Sequence, residues 1–188
     1  AAMKYQFSNN SNAVALIGVM LSFPVLASDL ARNELSRVSE LSDDFNNAAR
    51  VELRNAYDSS ARINQTHLFG SGNKALVRQS GYNNNANIDQ IGGGNLSYIE
   101  QNGNDNYAAI YQAGWNNEGA IIQNGNQNRA VLSQTGIGLS ETINQDGDGN
   151  VAYVIDKPNV NYSGFNINQS GNEQILIVNG MNKQITVH

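Results

Sequence analysis

From about Phe45 onward, repeated and variable positions alternate along the chain with a period of two. In Asn84-Asn85-Ala86-Asn87-Ile88-Asp89-Gln90, the even-numbered residues must share one face of an extended strand and the odd-numbered residues the other. The even set recurs down the chain while the odd set varies, so the recurring letters mark an inward face and the variable ones a solvent face. Between these stretches, Gln90-Ile91-Gly92-Gly93-Gly94-Asn95 and its equivalents place glycine and asparagine where the chain must reverse, because these residues reach positive φ at little cost. The pattern predicts short strands joined by tight corners.

The alternation is locked to a longer beat. Gln79, Gln90, Gln101, Gln112, Gln123, Gln134 and Gln145 recur every eleven residues. Eleven residues are too few for a solenoid coil with two faces, but twenty-two supply strand, turn, strand, turn. Residues 22 apart then stack in columns. One sheet reads Asn84, Asn106, Asn128, Asn150; Ala86, Ala108, Ala130, Ala152; Ile88, Ile110, Leu132, Val154; and Gln90, Gln112, Gln134, closing on Asp156. The other reads Asn73, Asn95, Asn117, Leu139; Ala75, Ser97, Gly119, Glu141; Val77, Ile99, Ile121, Ile143; and Gln79, Gln101, Gln123, Gln145. The fold class is therefore all-β: a β-solenoid of about six coils and about thirteen strands, forming two facing parallel sheets of cross-β type. The beat slips at both ends. Gln65 precedes Gln79 by fourteen residues, which makes His67-Leu68-Phe69 an insertion, and after Asp156 it passes through Lys157-Pro158 to Gln169 before the last strands, 174–179 and 183–188.

The inward letters follow from burial. A buried amide without a partner costs about 1–3 kcal/mol, so inward asparagine and glutamine are tolerable only if stacked amides satisfy one another. Alanine opposite isoleucine keeps the sheets close while filling the gap. Outside, Arg78 falls in register with Glu100, an opposite-charge pair between neighbouring strands.

Composition agrees with an ordered β-structure. The 188 residues include 18 glycines, two prolines, no cysteine and only 14 % charged residues, yet isoleucine and valine are regularly placed, unlike a disordered chain. The net charge of −5 and the lack of a basic run argue against nucleic acid as a partner. Met3-Lys4-Tyr5, the apolar run 13–26 and Val25-Leu26-Ala27 have the layout of a secretory signal peptide over 1–27, with cleavage after Ala27. The apolar run, interrupted by Pro24, is too short to span a bilayer, which needs about 20 residues. Residues 28–44 lack glycine and carry Leu30, Ala31, Leu35, Val38 and Leu41 near a helical period. At that length an isolated helix is marginal, so the segment reads as a flexible leader ahead of a repeat domain over 45–188.

Candidate chemistry is sparse. His67 and His188 are the only histidines, and without cysteine they form no zinc set or nucleophile–base pair, so neither an enzyme nor a cofactor is indicated. Asp146-Gly147-Asp148-Gly149-Asn150 matches the opening of an acidic calcium loop but lacks the distal bidentate glutamate, which favours a polar turn. Trp115 and the tyrosines Tyr82, Tyr98, Tyr107, Tyr111 and Tyr153 fall on turns and outward slots, and an aromatic glycan platform is the weaker alternative.

The repeat Gln-x-Gly-x-x-Asn-x-Ala-x-Ile-x-Gln on a cysteine-free chain resembles the curlin repeat of bacterial curli amyloid fibres, over about residues 45–188. Within that family Asn33-Glu34-Leu35-Ser36, Phe45-Asn46-Asn47-Ala48-Ala49 and the stretch 87–101 look more like the minor curlin, the nucleator; alanine dominates where the major subunit usually carries serine. The resemblance implies a secreted fibre component on the bacterial outer surface, associated with the cell but not membrane-spanning. Its partners would be itself, the major curlin subunit, and the curli outer-membrane secretion pore with its accessory factors, and the leader would be the export address. The nucleator's final repeat is rich in basic residues, whereas the tail here offers only Lys183 and His188, so a surface-anchoring role is not carried over. A major-type fibre subunit and a monomeric solenoid adhesin remain alternatives.

Overall fold

The computed structural model describes residues 4–9, 14–17, 47–157 and 165–179. In chain order the strands are β1 (Lys4–Asn9), β2 (Val14–Ile17), β3 (Ala48–Tyr57), β4 (Ser60–His67), β5 (Lys74–Tyr82), β6 (Asn85–Gly93), β7 (Leu96–Asn104), β8 (Tyr107–Trp115), β9 (Glu118–Asn124), β10 (Arg129–Ile137), β11 (Ser140–Asp146), β12 (Val151–Asp156), β13 (Phe165–Ser170) and β14 (Gln174–Asn179). They form two seven-stranded parallel sheets, ordered β1-β4-β6-β8-β10-β12-β14 and β13-β11-β9-β7-β5-β3-β2. From β3 on, successive strands alternate between the sheets, so each pair of strands is one coil and the expected solenoid of about six coils is what the chain forms. Among the described residues there is no helix, and none long and apolar enough to cross a membrane.

The register follows the 22-residue period. Ala86 pairs Ala108, which pairs Ala130, which pairs Ala152; Gln79 pairs Gln101, which pairs Gln123, which pairs Gln145. The irregular ends are absorbed by longer arcs. Gln65 lies under Gln90 at a separation of 25 residues, and Leu68 and Phe69 of the insertion stand exposed at a corner. Gln145 reaches Gln169 across 24 residues. The expected last strand at 183–188 and the leader at 28–44 lie outside the described residues; of the segment 1–27, only β1 and β2 are described, pairing with β4 and β3.

One contiguous core runs the length of the stack between the sheets, built from the alanine columns and from Ile88, Ile99, Ile110, Ile121, Leu132, Ile143 and Val154. Burying such aliphatic surface contributes roughly 25 cal/mol per Å² removed from water. Corners are fixed by glycine rows. Gly92 has φ +121°, and a Cβ there would meet the carbonyl oxygen of Gly114, one coil on, at 1.9 Å; Gly81 and Gly103 stand in the same relation at the opposite corner. The turns therefore nest so closely that any side chain would collide with the next coil's backbone.

A second apolar cluster sits on the outward face of the second sheet: Leu76, Tyr98, Ala120 and Ile122, each 2 % exposed or less. Tyr98 occupies an outward slot as its sequence position requires, but it is covered rather than displayed. Beside it Arg78 stacks in register between Glu52 and Glu100, and its Nε donates to Glu52 Oε2 at 2.9 Å. Glu52 also takes Arg50 at 2.8 Å and Arg54 at 3.6 Å. The glutamate beneath Arg78 escapes the 22-residue pattern because the chain slips in the first coils.

Candidate functional site: the buried amide rows

The inward residues of the regular block, from Asn73 to Asn150, are each at most 2 % exposed, save Leu139 at 5 %. The glutamines form two rows of side-chain amides. In the second sheet Gln79 Nε2 donates to Gln101 Oε1 at 2.8 Å, Gln101 to Gln123 at 2.9 Å, Gln123 to Gln145 at 2.8 Å and Gln145 to Gln169 at 2.7 Å. In the first sheet Gln65 donates to Gln90, Gln90 to Gln112 and Gln112 to Gln134, at 2.8, 2.8 and 2.7 Å. All these bonds point toward the C-terminal end of the stack.

Each Nε2 has a second proton, and it is used between the sheets. Gln101 donates to Asn85 O at 3.1 Å, Gln112 to Leu96 O at 2.9 Å, and Gln123 to Tyr107 O at 3.0 Å, each carbonyl lying 16 residues earlier in the facing sheet. The glutamines therefore tie coil to coil and sheet to sheet, a cross-link that reading strands one at a time does not show. An amide buried in a low-dielectric core is costly when half-satisfied and rigidifying when both donors are placed.

The asparagines also stack amide on amide, with Asn95, Asn106 and Asn117 Nδ2 donating to Asn73, Asn84 and Asn95 Oδ1 at 2.9, 3.1 and 3.1 Å, and they add bonds to the corner backbone. Asn106 N donates to Asn84 Oδ1 at 3.1 Å, Asn128 N to Asn106 Oδ1 at 3.0 Å and Asn150 N to Asn128 Oδ1 at 2.9 Å. The Nδ2 of Asn84, Asn106 and Asn128 reach the carbonyls of Gly103, Gly125 and Gly147 at 2.7, 2.8 and 2.7 Å. The other corner repeats the device through Asn73, Asn95 and Asn117, whose last Oδ1 accepts from Leu139 N at 3.1 Å. The asparagines are therefore staples to the corner backbone in addition to amide–amide contacts.

Other candidate chemistry is absorbed locally. His67 Nε2 donates to Gly70 O at 3.0 Å within the insertion, and His188 lies outside the described residues. Asp146 Oδ1 accepts from Asn124 Nδ2 at 3.0 Å, and Asp148 Oδ1 from the backbone N of Asn126, so the acidic turn continues the polar corner ladder. Arg129 lies over the Tyr107 ring at 4.4 Å and donates to Tyr153 Oη at 2.7 Å. Phe69 stacks on Trp115 with ring centroids 5.0 Å apart.

The sheets end, among the described residues, at β13 and β14. Ile175, Ile177 and Asn179 continue the inward columns of the first sheet there but are only partly buried. Among the described residues their outer backbone groups form a sheet edge, the kind of surface that templates another strand.

The family model described as Curlin associated repeat matches residues 81–114 and 103–136, two windows starting 22 residues apart. Neither a curated protein nor a solved structure matches the chain.

Proposed function

We propose that this chain is a curli fibre subunit and that it acts as the minor subunit, nucleating polymerisation of the major curlin into extracellular amyloid used in adhesion and biofilm. The observation that carries the reading is the in-register amide row from Gln79 to Gln169, which arrives at an edge strand with its spacing set. A polymerising chain must first fix strand register, and an ordered edge supplies that register before the incoming chain has any order of its own. The curlin associated repeat over 81–136 supports a curli subunit in general. The alanine-rich columns and the nucleator-like stretches noted above support the minor role. On this reading residues 1–27 direct secretion, 28–44 address the export pore, and the buried rows from Asn73 to Asn150 serve assembly.

Substoichiometric purified protein added to fresh major curlin, followed by thioflavin fluorescence, tests the role. A shortened lag is the expected result. An unchanged lag overturns nucleation; if this chain then forms fibres alone, it is a major-type subunit, and if it stays monomeric at high concentration, a solenoid adhesin.

A further inference from the structure

Among the described residues, the inward columns of the solenoid take up carboxylic acids at one place. Position 141 continues the column Ala75, Ser97, Gly119, and position 156 continues the row Gln90, Gln112, Gln134. Both carry carboxylic acids, Glu141 on β11 and Asp156 on β12, exposed by 2 % and 0 %. They come from opposite sheets and meet across the core at the junction that Ser97 and Gln112 occupy two coils earlier. Gln134 Nε2 donates to Glu141 Oε2 instead of continuing its own row, and Asn179 Nδ2 donates back to Asp156 Oδ1 at 2.9 Å. The remaining oxygens, Glu141 Oε1 and Asp156 Oδ2, are buried without a donor among the described residues.

Among the described residues the surroundings offer no cation. Gly119 and Ile121 on β9, Leu132 and Gln134 on β10, Val154 on β12, Ile167 and Gln169 on β13 and Ile177 and Asn179 on β14 are uncharged; Asp156 is the titratable group that faces Glu141. Two carboxylates cannot both ionise in such a place, because each lacks water and each repels the other. Elsewhere the same junction is bridged by a neutral donor: Ser97 Oγ donates to Gln112 Oε1 at 2.7 Å. At the Glu141 junction a proton held between the two carboxyls would supply the missing donor.

We propose that Glu141 and Asp156 hold one shared proton, and that this proton closes the C-terminal coils of the solenoid, β11 to β14. Loss of the proton leaves two facing buried charges and opens these coils, while the regular coils before them stay closed. Burial first, and the adjacent Asp156 carboxyl second, push the Glu141 carboxyl from its ordinary 4.5 up to about 8. A group whose pKa is higher in the folded state binds its proton more tightly there. Its contribution is therefore complete below about pH 4.5 and disappears as the pH rises through about 8. The last coils are thus closed in acid and neutral solution and open in base.

Hydrogen exchange of the full chain at pH 6 and pH 9, corrected for the intrinsic effect of pH on exchange, tests this. Exchange in β11 to β13 should accelerate roughly tenfold or more at pH 9, a tenfold change being one pKa unit, while β6 to β8 are unchanged. Glu141→Gln supplies an amide donor that needs no proton, and it should remove the acceleration; Asp156→Asn should do the same. The proposal is overturned if wild-type β11 to β13 show no acceleration of their own, or if either folded variant keeps it. Should one variant fail to fold, as judged by protection of β6 to β8 at pH 6, the other variant and the wild-type profile still decide.

Discussion

The backbone N–H of Asn106 donates to Oδ1 of Asn84, one coil earlier, at 3.1 Å, while Asn106 Nδ2 donates to Gly125 O, one coil later, at 2.8 Å. A single residue at a corner therefore spans three coils.

Asn106→Ala strands Asn128 N–H, which loses its acceptor, and Gly125 O, which loses its donor. Each buried unsatisfied group costs about 1–3 kcal/mol, so thermal unfolding should show a clear loss of stability. Asn87→Ala, by contrast, removes partly exposed contacts to Asp89 and Tyr111 Oη and should change stability by about 0.5 kcal/mol or less. Equal effects of the two on unfolding and assembly lag would show the two faces to be equivalent.

Gln90→Leu cuts the first-sheet row in its middle. It removes one of the acceptors of Gln65 Nε2, the donor to Gln112 Oε1 at 2.8 Å and the inter-sheet bond to Lys74 O at 3.1 Å. Ser97 Oγ still supplies Gln112 Oε1, which limits the damage on that side. A loss of about 1–3 kcal/mol and a longer assembly lag are expected, read by denaturant unfolding and thioflavin kinetics.

Gly114→Ala and Gly138→Ala separate two costs of corner glycines. Both have positive φ, +126° and +68°, but a Cβ at Gly114 would meet Gly136 O at 1.9 Å whereas nothing lies within 4 Å of one at Gly138. Gly138→Ala should cost about 1 kcal/mol of backbone strain. Gly114→Ala must also push two coils apart and should abolish protection of β8 and β10 in hydrogen exchange. Similar exchange in the two variants would mean the corners do not nest.

Arg129→Ala removes the cation–π contact to Tyr107 and the bond to Tyr153 Oη. Arg129 is exposed, so the loss should be about 0.5–1 kcal/mol, with little change in assembly lag. A lag as long as that of Gln90→Leu would assign the outer face a part in assembly.

Much of this arrangement is readable from one sequence because the solenoid repeats itself. The register of Ala86 on Ala108 and of Gln101 on Gln123 follows from the 22-residue spacing, since each coil can bury its face only against its neighbours. What escapes are relations that the period does not carry. The glutamine-to-carbonyl bonds across the sheets depend on how the facing strands are offset, which no column contains. Glu141 and Asp156 lie in different columns, so their meeting is visible only when the two sheets are set face to face. Glu52 beneath Arg78 is hidden by the longer first coils, and the burial of Tyr98 is hidden because alternation assigns a face, not a cover.

The glutamine row of the second sheet has a direction: every Nε2 from Gln79 to Gln145 donates toward the C-terminal end, and none donates back. A second copy can extend that row only if it is placed in the same sense, donor against acceptor. A two-fold axis at the junction would set donor on donor or acceptor on acceptor. Continuation of that kind would be a translation with a twist, an operation that never returns to its starting subunit, and would generate a polar, open-ended filament in which the two tips are chemically different.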